Sequence, residues 1–139
     1  MGVDLDESSI VSLRSPLGRV LGLGSAKEGT GHWWAQRVSA IALIPLTLWF
    51  LFSLLALPIL DYATVRAWLS YPLSGFLGVL LVAVLTHHSY LGTTEVIEDY
   101  VPSVGTKLFS LLCLQFLHVL VGGASIFAIL RVAFGSSSL

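Results

Sequence analysis

Three stretches of the chain contain no Asp, Glu, Lys or Arg: Val38 to Leu60, Ala67 to Thr94 and Leu108 to Leu130. Crossing a bilayer core about 30 Å thick takes roughly 20 apolar residues in a helix, and each stretch is long enough. Hydrocarbon offers no water to a bare peptide group. A spanning segment must therefore bond its own N–H and C=O groups, which a helix does within one segment. The expected fold class is all-α, a membrane bundle of three transmembrane helices over about 38–60, 72–97 and 107–131. Only 11% of the residues are charged, against about 25% in a typical soluble domain. The net charge of −1 provides no basic surface for nucleic acid. A soluble globular domain, a disordered chain and a nucleic-acid binder are excluded, and membrane lipid is the expected surroundings.

Punctuation residues divide the rest. Residues 1–30 form a polar tail opened by Asp4, Asp6 and Glu7, unlike the basic start of a signal peptide, so a retained tail is expected. The anchor then occupies 31–134, and 135–139 is a frayed end. Pro45 falls inside the first span and Pro58 near its end. Asp61 to Tyr71 mixes charge with Trp68 and Tyr71, the composition of an interfacial connection. Pro72 suits a first helical position, and the second span must run on through His87 and His88 to about Ile97 to be long enough. Five Lys and Arg (Arg14, Arg19, Lys27, Arg37 and Lys107) lie in the tail and second loop, against Arg66 and Arg131 on the other side. The positive-inside tendency then puts the N-terminus on the cytoplasmic side, or the matrix side of a mitochondrial membrane. The one cysteine, Cys113, permits no disulfide framework and reads as a small packing residue.

Ionisable side chains inside a span are costly and mark candidate sites. Here they are His87, His88 and His118, with Gln115 one turn from His118. A neutral imidazole can ligate haem iron, or it can hydrogen-bond a neighbouring helix and do nothing more. At about 1.5 Å per residue, His88 lies roughly 16 Å inside Asp99, and His118 is equally far inside Lys107. At about 100° per residue, Gly92 is turned roughly 40° from His88 and Asp99 roughly 20°, so the three share a face on which a glycine permits close approach. His87 lacks that alignment. Ahead of the first span, His32-Trp33-Trp34 and Arg37 read as an interfacial anchor; Arg37 could also pair with a cofactor carboxylate. Tyr100 offers a phenol at the interface, as a belt residue or as a hydrogen-bond donor to a quinone carbonyl.

The run His88-Ser-Tyr-Leu-Gly92, followed by Glu98-Asp99-Tyr100-Val101, resembles the second helix of the D-type hydrophobic membrane anchor of succinate dehydrogenase, respiratory complex II. That family places Gly four residues after a His, and Asp-Tyr eleven and twelve after it. It also has an Arg opening its first helix, matched by Arg37. The resemblance covers about residues 19 to 134. It implies that His88 is one axial ligand of haem b, the second coming from a partner C-type cytochrome b anchor subunit. It further implies that Tyr100 donates a hydrogen bond to ubiquinone with Asp99 in support, and that Arg37 meets a haem propionate, with His32 a weaker candidate for that place. His118 departs from the family pattern and leaves open a same-chain pair with His88. His87 is the other alternative ligand.

The expected function is that of a subunit with no catalytic residue of its own. It would dock a flavoprotein subunit and an iron–sulfur subunit on a bacterial inner membrane, or a mitochondrial one, and help pass electrons from succinate to ubiquinone. A quinol:fumarate reductase anchor, or a non-redox structural or transport subunit using the histidines as helix glue, stand as alternatives.

Overall fold

The structure, a computed structural model, describes residues 26–135, with side chains from residue 30 onward. The expected polar tail up to residue 25 and the end beyond 135 lie outside the described residues. Along the chain two units separate, 1–31 and 32–139, and all the packing below belongs to the second. Among the described residues four helices follow one another: α1 Ala26–Leu55, α2 Tyr62–Ser70, α3 Pro72–Tyr100 and α4 Val104–Phe134. No strand occurs among the described residues. Thr30–Leu55, Pro72–Tyr100 and Val104–Phe134 are each long and apolar enough to cross a membrane. The bundle of three spanning helices is therefore what the charge-free stretches demanded.

The ends differ from the expected ones for local reasons. α1 stops at Leu55 rather than Leu60, because the ring of Pro58 crowds the preceding residue out of helical geometry. The last amides fold back instead, Ala56 N to Phe52 O at 3.0 Å and Leu57 N to Leu54 O at 3.2 Å. The interfacial connection contains a nine-residue helix, α2. Its N-cap, Asp61, has extended backbone and accepts a hydrogen bond from the Thr64 amide at 2.8 Å, satisfying a donor the first turn cannot. Hydrogen bonds from the Thr64 side chain and then from its amide hold the Asp61 carboxyl below its ordinary value of 3.8. Pro72 opens α3 as its first residue.

Few side chains are buried: Leu46, Leu81, Leu91 and Leu114 among the apolar ones. Large apolar residues such as Ile41, Phe52, Phe76, Phe116 and Phe127 are exposed, as the lipid-facing side of a spanning helix requires. The tight seam is α3 against α4. A Cβ added to Gly122 would stand 2.9 Å from Thr86 Cγ2, and one on Gly75 would meet Ala133 Cβ at 3.2 Å. The backbones come that close because the glycines carry no side chain. By contrast, among the described residues no Cα of α1 lies within 8 Å of a Cα in another helix. Side chains alone span that gap. At one end Trp49 stacks on Trp68 of α2 with centroids 5.8 Å apart; at the other end a polar ladder joins α1 to α3.

Candidate functional site

The ladder has three rungs, spaced so that each helix contributes one residue per turn. His88 Nδ1 lies 2.9 Å from Ser39 Oγ. One turn further along α3, Gly92 faces Gln36, whose Nε2 would be 3.4 Å from a Cβ at position 92. One turn beyond that, Glu95 Oε1 lies 3.4 Å from His32 Nδ1. On α3 these are positions i, i+4 and i+7, one face of a helix; on α1 the partners run backwards, as they must on an antiparallel neighbour. His88 and Gly92 thus share a face, and that face meets α1.

Ser39 is itself buried, the buried polar residue of the described chain. Its hydroxyl also bonds the carbonyl oxygen of Gln36 at 3.0 Å. Gln36 Oε1 is buried with no hydrogen-bond partner among the described residues. An unmet buried acceptor costs about 1–3 kcal/mol, and such atoms point to a group that completes the site. The second ring nitrogen of His88, Nε2, makes no hydrogen bond among the described residues.

The other two membrane histidines sit on a different seam. His118 has both nitrogens occupied: Nδ1 with the Leu114 carbonyl at 2.9 Å and Nε2 with Ser89 Oγ at 3.3 Å. Its ring also meets Tyr90 edge-on, centroids 5.8 Å apart. His87 is exposed and joins His118, Gln115, Tyr90 and Thr86 around a cavity of about 330 Å³ between α3 and α4. His118 therefore approaches Ser89 and Tyr90, while His88 approaches Ser39.

The remaining candidates lie toward the membrane surface. Arg37 is exposed, its guanidinium 5.1 Å from the centre of the Trp33 ring, a cation–π contact. Tyr100 is 81% exposed at the last residue of α3, beside an exposed Asp99. The helix of 29 residues is about 43 Å long at 1.5 Å per residue, longer than the hydrocarbon core, so its final turn reaches beyond it. Lys107 Nζ donates to the Glu98 carbonyl at 2.7 Å and holds the start of α4 against that turn. The structure thus gathers His88 and His32 on one seam and sets Asp99 and Tyr100 together at its end.

Three residues of the seam escaped the sequence reading, Ser39, Gln36 and Glu95. A serine two positions after Arg37 in an otherwise apolar run was the available signal. The cavity shared by His87, Gln115 and His118 was equally hidden, since it depends on the close approach at Gly122.

Among groups of three or more His, Cys, Asp or Glu that could hold a bare metal ion, the described residues contain none. A porphyrin iron, however, takes a single imidazole from each side. A ring anchored through Nδ1, an uncommitted Nε2 and a glycine one turn away suit such a group.

Residues 12–122 match the family described as Succinate dehydrogenase/Fumarate reductase transmembrane subunit. Among curated proteins, the chain is 37% identical to a succinate dehydrogenase hydrophobic membrane anchor subunit of Rickettsia bellii, over 71% of this chain and 86% of that one. It is 33% identical to the subunit of the same name from Paracoccus denitrificans, over 83% of this chain and 88% of that one. No solved structure matches significantly. The long match, together with three spanning helices, shows that the chain belongs to the transmembrane subunit family of succinate dehydrogenase and fumarate reductase.

Proposed function

We propose that this chain anchors the flavoprotein and iron–sulfur subunits of a succinate dehydrogenase to a bacterial inner membrane and contributes one half of a haem b site. The bacterial relatives and the three apolar helices support that membrane, with the N-terminus on the cytoplasmic side. The observation that carries the reading is His88: its Nδ1 is anchored 2.9 Å from Ser39 Oγ, and its Nε2 is uncommitted among the described residues. His118, by comparison, uses both nitrogens within the chain, the behaviour of helix glue.

A b-type haem bound here supplies a one-electron redox centre. The residues of this chain then have distinct tasks. His88 would hold the haem iron through its uncommitted Nε2, and a C-type cytochrome b anchor subunit would complete the site. Gly92 keeps that face of α3 low, so that Gln36 can lie across it one turn from His88. Arg37, exposed at the rim, presents a guanidinium to a propionate; His32, held by Glu95, stands near the same edge. Tyr100 donates a hydrogen bond to a carbonyl oxygen of ubiquinone, with Asp99 in support. None of these residues oxidises succinate; that reaction belongs to the docked subunits.

The family name includes fumarate reductase, whereas both relatives named above are succinate dehydrogenase subunits, which favours succinate oxidation. Family membership likewise favours a redox anchor over a transport subunit. The test is the assembled complex with His88→Ala, which is expected to lose its b-type spectrum while His87→Ala and His118→Ala keep theirs.

A further inference from the structure

We infer that Ser39 is a positioning residue that fixes the tautomer of His88, so that the Nε2 lone pair faces out of the ladder as the ligating nitrogen. The inference rests on the reading of His88 as a haem ligand and adds to it the residue that makes the ring a competent one.

The argument is a count of protons. A serine hydroxyl has one hydrogen and two lone pairs. Ser39 Oγ lies 3.0 Å from the Gln36 carbonyl oxygen, which can only accept, so the hydroxyl hydrogen is spent there. Toward His88 Nδ1, 2.9 Å away, the same oxygen must then accept. The proton in that bond belongs to Nδ1. A neutral imidazole with hydrogen on Nδ1 has its lone pair on Nε2, which makes no hydrogen bond among the described residues. Burial of Ser39 keeps water from competing for this bond. Metal-ligating histidines commonly donate their other N–H in this way, which orients the ring and raises its basicity. Here the acceptor is a hydroxyl oriented by a helix carbonyl one turn behind it.

The experiment compares two pairs of variants in the assembled complex, each pair differing chiefly in the hydroxyl: Ser39→Thr against Ser39→Val, which share a shape, and the unchanged chain against Ser39→Ala. The readouts are haem retention, the midpoint potential and the low-spin EPR g-values. Chains with a hydroxyl at position 39 are expected to match one another. Those without it should hold haem at least about tenfold less tightly and have a higher midpoint potential, because a less basic imidazole stabilises ferric iron less. Identical retention and potential within either pair would overturn the inference. A Ser39→Val chain that fails to assemble while Ser39→Thr assembles would show the hydroxyl is needed, and the Ser39→Ala pair then decides by potential. Haem that survives His88→Ala would instead defeat the ligand reading, whatever Ser39 does.

Discussion

Gly92 lies under the side chain of Gln36: a Cβ at position 92 would stand 3.4 Å from Gln36 Nε2, one helical turn from the bond between His88 and Ser39. Position 92 is therefore small because a second helix lays a polar side chain across it. Gly92→Val should push Gln36 away from the seam. The expected result is a complex that assembles normally with a perturbed haem spectrum, seen as altered low-spin g-values. Gly105, where an added Cβ meets nothing within 4 Å, should accept alanine without spectral change.

The seam between α3 and α4 has a different vulnerability. At Gly122 an added Cβ meets Thr86 Cγ2 at 2.9 Å and Oγ1 at 3.0 Å, too close for both to stay. Overpacking of this kind costs about 1–3 kcal/mol. Gly122→Ala should lower the thermal midpoint of the complex, and Thr86→Ala in the same chain should restore much of it. A double-mutant cycle with clear coupling between the two positions checks the account.

Asp61 gives a pH-dependent effect outside the spans. Its carboxyl is held below the ordinary 3.8 by the Thr64 side chain and then the Thr64 amide. The carboxylate form is the one favoured by folding. Its contribution is therefore complete above the ordinary value and is lost as pH falls through the lower folded one. Hydrogen exchange at the Thr64 amide should be faster in Asp61→Ala than in the unchanged chain at neutral pH. The difference should vanish in acid.

At the end of α3, Tyr100 is exposed, and its phenol makes no hydrogen bond among the described residues. Tyr100→Phe removes one neutral hydrogen bond, worth about 0.5–1.5 kcal/mol net. The expected change is a roughly two- to tenfold rise in the KM for ubiquinone, with unaltered haem content and assembly. Succinate oxidation by an artificial acceptor that bypasses the quinone should stay the same.

Much of this architecture was legible because charge is so expensive in hydrocarbon. Three charge-free stretches could only be three spanning helices, and Pro72 marked the start of α3 to the residue. The helix over Tyr62–Ser70 was not legible: nine residues mixing Arg66 with Trp68 look like an interfacial loop, and the capping role of Asp61 emerges only with the backbone in view. The face shared by His88 and Gly92 followed from helical periodicity alone. What they face did not, because the partners Ser39 and Gln36 depend on how far α1 slides along α3. That register is a property of two helices, and neither sequence segment carries it alone. The separation of His118 from His88 was hidden for the same reason, since equal depth in the membrane says nothing about which seam a ring occupies.

The central claim is that His88 ligates haem iron, and the reduced-minus-oxidised optical spectrum of the assembled His88→Ala complex tests it most directly. The account predicts loss or severe weakening of the b-type signal, with the spectrum retained in His87→Ala. An ordinary low-spin b-type spectrum in His88→Ala would contradict it.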